Sequence, residues 1–155
     1  MAVLVSNLQK EVPVSDELIK MAEKAAIEAL GLAEKSFDQE VEISVVFVDD
    51  AYIQRLNYQY RNQNYPTDVL SFALQEGEEG PGEEEIILLG DVVISLPRAR
   101  EQSMEFKHSL FREVAYLVAH GVLHLLGYDH QEEPARQIMR AKEEAILNKL
   151  NMPRE

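Results

Sequence analysis

The stretch SLFREVAYLVAHGVLHLLGYDH, residues 109–130, decides how this chain is read. It predicts a largely apolar helix from about Ser109 to Leu126, carried by Val114, Leu117, Val118, Val122, Leu123, Leu125 and Leu126 and stopped at Gly127. His120 and His124 stand four residues apart, a spacing that stacks two side chains on one helix face within reach of a single ion. Gly127 permits a turn that a residue with a Cβ resists, and that turn can return His130 to the same face. A single histidine on a buried helix is more often a hydrogen-bonded core group than a ligand. Three polar rings beside so apolar a helix are costly to bury unless something shared satisfies them. Three neutral imidazoles suit Zn2+, one ion per chain, with a fourth position open to water.

Outward from this helix, the chain reads as alternating elements with no internal repeat and no linker. Ala2 to Leu8 and the β-branched run Val41 to Val48 predict strands, as do Val69 to Leu74 and Ile86 to Ile94. Pro13 and Ser15 introduce a first helix with Asp16 and Glu17 in its first turn, and Gly31 is expected to close it. Asp50 is expected to cap a short helix bearing Ile53, Leu56, Asn57 and Tyr60. Ser95 with Pro97 starts a third helix, and Pro134 opens a last one bearing Ile138, Met139, Ala145 and Ile146. The order is strand, helix, strand, helix, two strands, three helices. It predicts a single α+β layered domain over residues 1–155, with a mixed sheet of about four strands and a metalloprotease-like metal helix. The Gly-, Pro- and Glu-rich segment 76–85 reads as a loop joining an antiparallel pair.

Composition narrows the function. The chain has 155 residues, 46% of them hydrophobic, enough for one sizeable core. It has no cysteine, which excludes a thiolate metal site, a cysteine nucleophile and a disulfide framework. No basic, apolar leader and no membrane-length apolar run is seen, so a cytoplasmic protein is expected. The net charge of −13 argues against general nucleic-acid affinity and against DNA as a partner. The charge is uneven, however. Glu76, Glu78, Glu79, Glu83, Glu84 and Glu85 concentrate negatives in one loop, whereas 51–67 holds Arg55 and Arg61 and no acid.

The spacing of the histidines matches the zinc-protease pattern His-Glu-x-x-His-x-x-Gly-x-x-His, with Gly121 where the protease carries its general base. Glycine takes no proton, which moves the reading away from peptide hydrolysis. Arg61 is a candidate catalytic and substrate-binding residue, since a guanidinium can clamp a phosphate bidentately; an exposed salt bridge is the alternative. Tyr52, Tyr58, Tyr60 and Tyr65 flank Arg55 and Arg61, an interleaving that suits single-stranded RNA, with Tyr60 the candidate contact and at least two of the four expected to pack. Asp129 either orients an imidazole or a water at the ion, or makes a turn hydrogen bond. His108 is expected at the surface or a helix start, without a role.

Leu56-Asn57-Tyr58-Gln59-Tyr60-Arg61, followed by Pro66-Thr67-Asp68-Val69-Leu70-Ser71-Phe72, resembles the first signature of the YbeY family. The stretch His120 to His130 resembles the second, and Leu89-Gly90-Asp91-Val92 a smaller piece. The resemblance implies a single-strand-specific, metal-dependent endoribonuclease. It implies zinc on His120, His124 and His130, a functional Arg61, and roles for the metal centre, including His120, in catalysis. It also implies maturation of the small-subunit rRNA 3′ end, ribosome quality control, and rRNA and the small ribosomal subunit as partners. The acidic loop 76–85 is expected to point away from the RNA. Two rival readings remain: a zinc hydrolase of another substrate class, such as a peptidase, and a ribosome-assembly binding protein with structural zinc.

Overall fold

A computed structural model describes residues 2–32, 40–74 and 87–152 of the chain. Its elements are β1 (Ala2–Asn7), α1 (Asp16–Leu32), β2 (Val41–Val48), α2 (Asp50–Arg61), β3 (Val69–Ala73), β4 (Ile87–Ser95), α3 (Leu96–Glu105), α4 (Leu110–Leu125) and α5 (Ala135–Lys149). The element order is the expected one. The acidic segment 76–85 lies outside the described residues.

The four strands form one mixed sheet in the order β1-β2-β4-β3. β1 and β2 are parallel, as are β2 and β4, while β3 closes the edge antiparallel to β4. Alternation of side chains divides the sheet into two faces. Ile43, Val45, Phe47, Val92 and Ile94 face a core built with α1, α4 and α5, all five fully buried. Val48, Val93 and Leu70 face α2 through Ile53, with Tyr52, Leu56 and Phe72 packed around them. Helix α4 is the centre of the larger core. Val114, Ala115, Val118, Ala119, Val122 and Leu123 show no exposed surface, and each buried Val or Leu contributes about 1.5–3 kcal/mol relative to exposure.

The boundaries correct the sequence reading in two places. Asp49, not Asp50, caps α2, its carboxylate accepting from the backbone N–H of Tyr52 at 2.8 Å. Asp50 instead accepts from the Ser95 hydroxyl at 2.7 Å and pairs with Arg98. Gly31 does not end α1, which runs to Leu32. In α5, Ile138 and Ala145 face solvent, and the buried face is Met139, Glu143, Ile146 and Leu147. A carboxylate, Glu143, thus occupies a core position.

Candidate metal centre

Helix α4 is capped by Ser109, whose hydroxyl accepts from Arg112 N–H at 3.0 Å. One stripe of its surface carries Tyr116, His120 and His124, each four residues after the last. The helix terminates through Gly127 at φ +99°, a left-handed conformation that a Cβ would strain. The N–H of Gly127 bonds the His124 carbonyl, and that of Tyr128 bonds the Leu123 carbonyl, both at 3.0 Å. The chain then folds back over its own last turn. Asp129 fixes this return, its Oδ1 accepting from the N–H groups of His130 at 2.7 Å and Gln131 at 3.1 Å. In this geometry Asp129 is a turn acceptor that sets the backbone bearing His130.

The turn brings the three rings together. Their centroids lie 4.7 Å (His120–His124), 4.9 Å (His120–His130) and 4.7 Å (His124–His130) apart. One nitrogen from each ring falls within 4.8 Å of the others, which gives a donor set able to hold a metal ion. His120 and His124 are partly buried and His130 is exposed, so the cluster opens to solvent on the side of the turn. His124 Nε2 stands 2.8 Å from His130 Nδ1. A tetrahedral ion with Zn–N bonds of about 2.0–2.1 Å would set its ligand nitrogens about 3.3 Å apart. For this pair, an opening of roughly half an ångström gives the spacing a tetrahedral ion needs. Burial, reinforced by His120 and His130, lowers the His124 pKa to about 4, so the ring is the neutral base that a metal requires.

His120 is held from its other side. Its Nδ1 bonds the Glu143 carboxylate, which reaches it from α5. The ring of Tyr116 lies against it at 5.7 Å between centroids. Burial, together with the negative charges of Glu143, Asp68 and Glu113, raises the Tyr116 pKa to about 12 and keeps its hydroxyl protonated. Sequence reasoning missed Glu143. Its signal was a carboxylate four residues after Met139 and three before Ile146, on the apolar face of the last helix.

Arg61 ends α2 and turns toward β3. Its Nη2 donates to the Ser71 carbonyl at 2.9 Å, and the guanidinium lies over the Phe72 ring at 5.7 Å. It makes no ion pair among the described residues, which removes the salt-bridge alternative there. The Ser71 hydroxyl donates to the Gly121 carbonyl at 3.1 Å, so a single residue of β3 bridges Arg61 to the histidine helix. Ser71 was not singled out from sequence, because nothing local in the sequence reveals a cross-element contact. Tyr60 is 60% exposed and sets its ring edge-on to Phe72 at 5.2 Å. Tyr58 and Tyr65 are exposed as well, while Tyr52 packs against the smaller core cluster.

Two further residues bear on the expectations. His108 stands at the start of α4, immediately before the Ser109 cap, which is one of its two expected placements; its side chain is 19% exposed, with Nε2 2.6 Å from the buried Glu113 carboxylate and Nδ1 accepting from Arg112 at 3.2 Å. It lines a cavity of about 1120 Å³ shared with Tyr116 and Glu143. Gly121 faces the sheet. A Cβ there would lie 2.5 Å from Val92 Cγ1 and 3.1 Å from Ser71 Oγ, so a protease-type glutamate would be driven into β4.

A family model described as Endoribonuclease YbeY matches residues 4–151. Among curated proteins, the chain is similar to an "Endoribonuclease YbeY" of Pelotomaculum thermopropionicum, 58% identical over 99% of this chain and 100% of the relative. Another of that description, from Desulforamulus reducens, is 54% identical over the same shares of both chains. Among solved structures, the solution structure of TM1509 from Thermotoga maritima matches with a TM-score of 0.54 and 25% identity, covering 96% of this chain and 91% of that one.

Proposed function

The chain belongs to the YbeY family, and from that premise we propose that it is a metal-dependent endoribonuclease acting on single-stranded RNA, built as one domain over residues 1–155. The observation that carries this reading is the convergence of three imidazole nitrogens within 4.8 Å at the end of α4. The reading assigns His120, His124 and His130 as ligands of one Zn2+ per chain, the ion that three neutral nitrogens and an open fourth position suit best. Such an ion supplies electrophilic chemistry at a phosphoryl oxygen. Arg61 holds the scissile phosphate: with no carboxylate partner among the described residues, its guanidinium keeps donors free, while the Ser71 carbonyl fixes its orientation. Tyr60, exposed beside it, offers a face on which an unpaired base can stack. Asp129 orients His130 through the backbone.

The substrate follows from the same reading. RNA rather than peptide is favoured because Gly121 cannot act as a base and its Cβ direction leads into β4. The natural target is then rRNA, at the 3′ end of the small-subunit precursor, with the small ribosomal subunit as partner and the cytoplasm as the location. Among the described residues no helix is long and apolar enough to cross a membrane.

The test is cleavage of a single-stranded RNA and its duplex by metal-loaded protein and by Arg61→Ala. The single strand is cut, and Arg61→Ala loses about a hundredfold or more in rate, the scale of removing one donor to a developing oxyanion, while circular dichroism and metal content are unchanged. Equal cleavage by both preparations would assign the activity to a contaminant and overturn the reading.

A further inference from the structure

Glu143 is a buried carboxylate, 6% exposed, on a helix whose other buried residues are Met139, Ile146 and Leu147. Burying a charge among apolar side chains is expensive unless a partner compensates it. The partner is His120, through Nδ1. That bond has a directional consequence. An imidazole that donates its Nδ1 proton to a carboxylate presents Nε2 as its lone-pair nitrogen. In His120 the bonded nitrogen faces α5, leaving Nε2 for the cluster formed with His124 and His130.

We propose that Glu143 is the positioning residue of the metal centre: it fixes the tautomer and plane of His120 and raises the basicity of the nitrogen offered to the ion. This rests on the metal-site reading above and goes beyond its ligand set. Two other roles for the carboxylate are disfavoured by the geometry. The convergent group of ligand atoms comprises the three histidines without Glu143, so it is not a fourth ligand. It is engaged by His120 Nδ1, whereas Nε2 is the nitrogen given to the ion, so it is not the base for a water there. The Tyr116 ring packs on the same imidazole, with centroids 5.7 Å apart. Helix α5 thereby acquires a function: it carries the carboxylate that orients a ligand on α4.

The experiment measures metal affinity by competition with a chromogenic chelator, for the full chain, Glu143→Gln and Glu143→Leu, with Glu101→Gln, at an exposed position of α3, as a charge control. Zinc binding weakens about ten- to a hundredfold in both Glu143 variants, the usual consequence of losing an outer carboxylate, and more in Leu than in Gln, whose amide oxygen can still accept the proton. The control binds as the wild type does. The cobalt-substituted protein reports ligand-field geometry independently of activity, and its visible spectrum shifts in the Glu143 variants. Nitrogen-15 NMR of the wild-type zinc form needs no variant to fold: His120 shows a strongly deshielded Nδ1–H and a metallated Nε2. Wild-type affinity and an unchanged cobalt spectrum in both Glu143 variants, or a metallated His120 Nδ1, would overturn the proposal. A wild-type protein that takes up no metal refutes the metal site itself, and this role with it, a failure distinct from the other two.

Discussion

Replacing Gly121 by alanine sets two effects of known sign against each other. Alanine is favoured over glycine in a helix interior by about 1 kcal/mol, and Gly121 sits inside α4. Against this, the new methyl would approach Val92 Cγ1 to 2.5 Å, Val92 Cγ2 to 3.0 Å and Ser71 Oγ to 3.1 Å. Val92 cannot yield cheaply: it is fully buried in β4 and β-branched, with a stiff χ1. Relief therefore requires α4 to back away from the sheet, and overpacking of this kind costs about 1–3 kcal/mol. A 2.5 Å approach to a buried, stiff side chain puts the cost in the upper part of that range, about 2–3 kcal/mol, so packing wins and Gly121→Ala destabilises by about 1–2 kcal/mol despite its better helix propensity. Urea denaturation reads this as a lower midpoint at constant slope. Adding Val92→Ala removes the clashing methyls, so the double variant is more stable than the sum of the singles by about 1 kcal/mol. A Gly121→Ala protein as stable as the wild type would refute the close approach of α4 to β4. It would also remove the steric argument against a glutamate at this position.

Other outcomes follow from particular contacts. Tyr116 titrates near 12 while the unfolded chain titrates near 10. Its protonated form is the one stabilised by folding, so its contribution is complete below pH 10 and is lost as pH rises from 10 through 12. Spectrophotometric titration shows one late phenolate, and a Tyr116 that ionises with the exposed tyrosines would contradict the assignment. Ser95→Ala removes the cap of α3, where the hydroxyl accepts from Arg98 N–H at 3.3 Å, and the bond to Asp50 at 2.7 Å. Together these are worth about 1–3 kcal/mol in denaturation, and a change under about 0.5 kcal/mol would show that the cap contributes little.

The fold was legible wherever one segment carries its own signal. The apolar period of α4, the β-branched run of β2 and the Ser95–Pro97 start of α3 each encode an element locally, and the element order fixed the α+β class. The His120–His124 spacing and Gly127 likewise encode a local geometry, and the structure brings His130 to them through that turn. Contacts between distant segments were not legible. Glu143 meets His120 across 23 residues and Ser71 meets Gly121 across 50, and neither pairing has a local pattern. The buried face of α5 was not legible for a related reason. Period alone could not show that a carboxylate takes a buried position when a partner on another helix compensates it. His108 was legible as a helix start, but its bond to Glu113 was not, because composition would place that buried charge at the surface.

The most direct test is the metal content of the purified protein, read together with anomalous scattering from crystals of the loaded chain. The account predicts one ion per chain, with an anomalous peak among His120, His124 and His130, zinc in particular showing its absorption edge, and loss of the ion in His124→Ala. A peak elsewhere, or a His124→Ala protein that retains its metal, would contradict it.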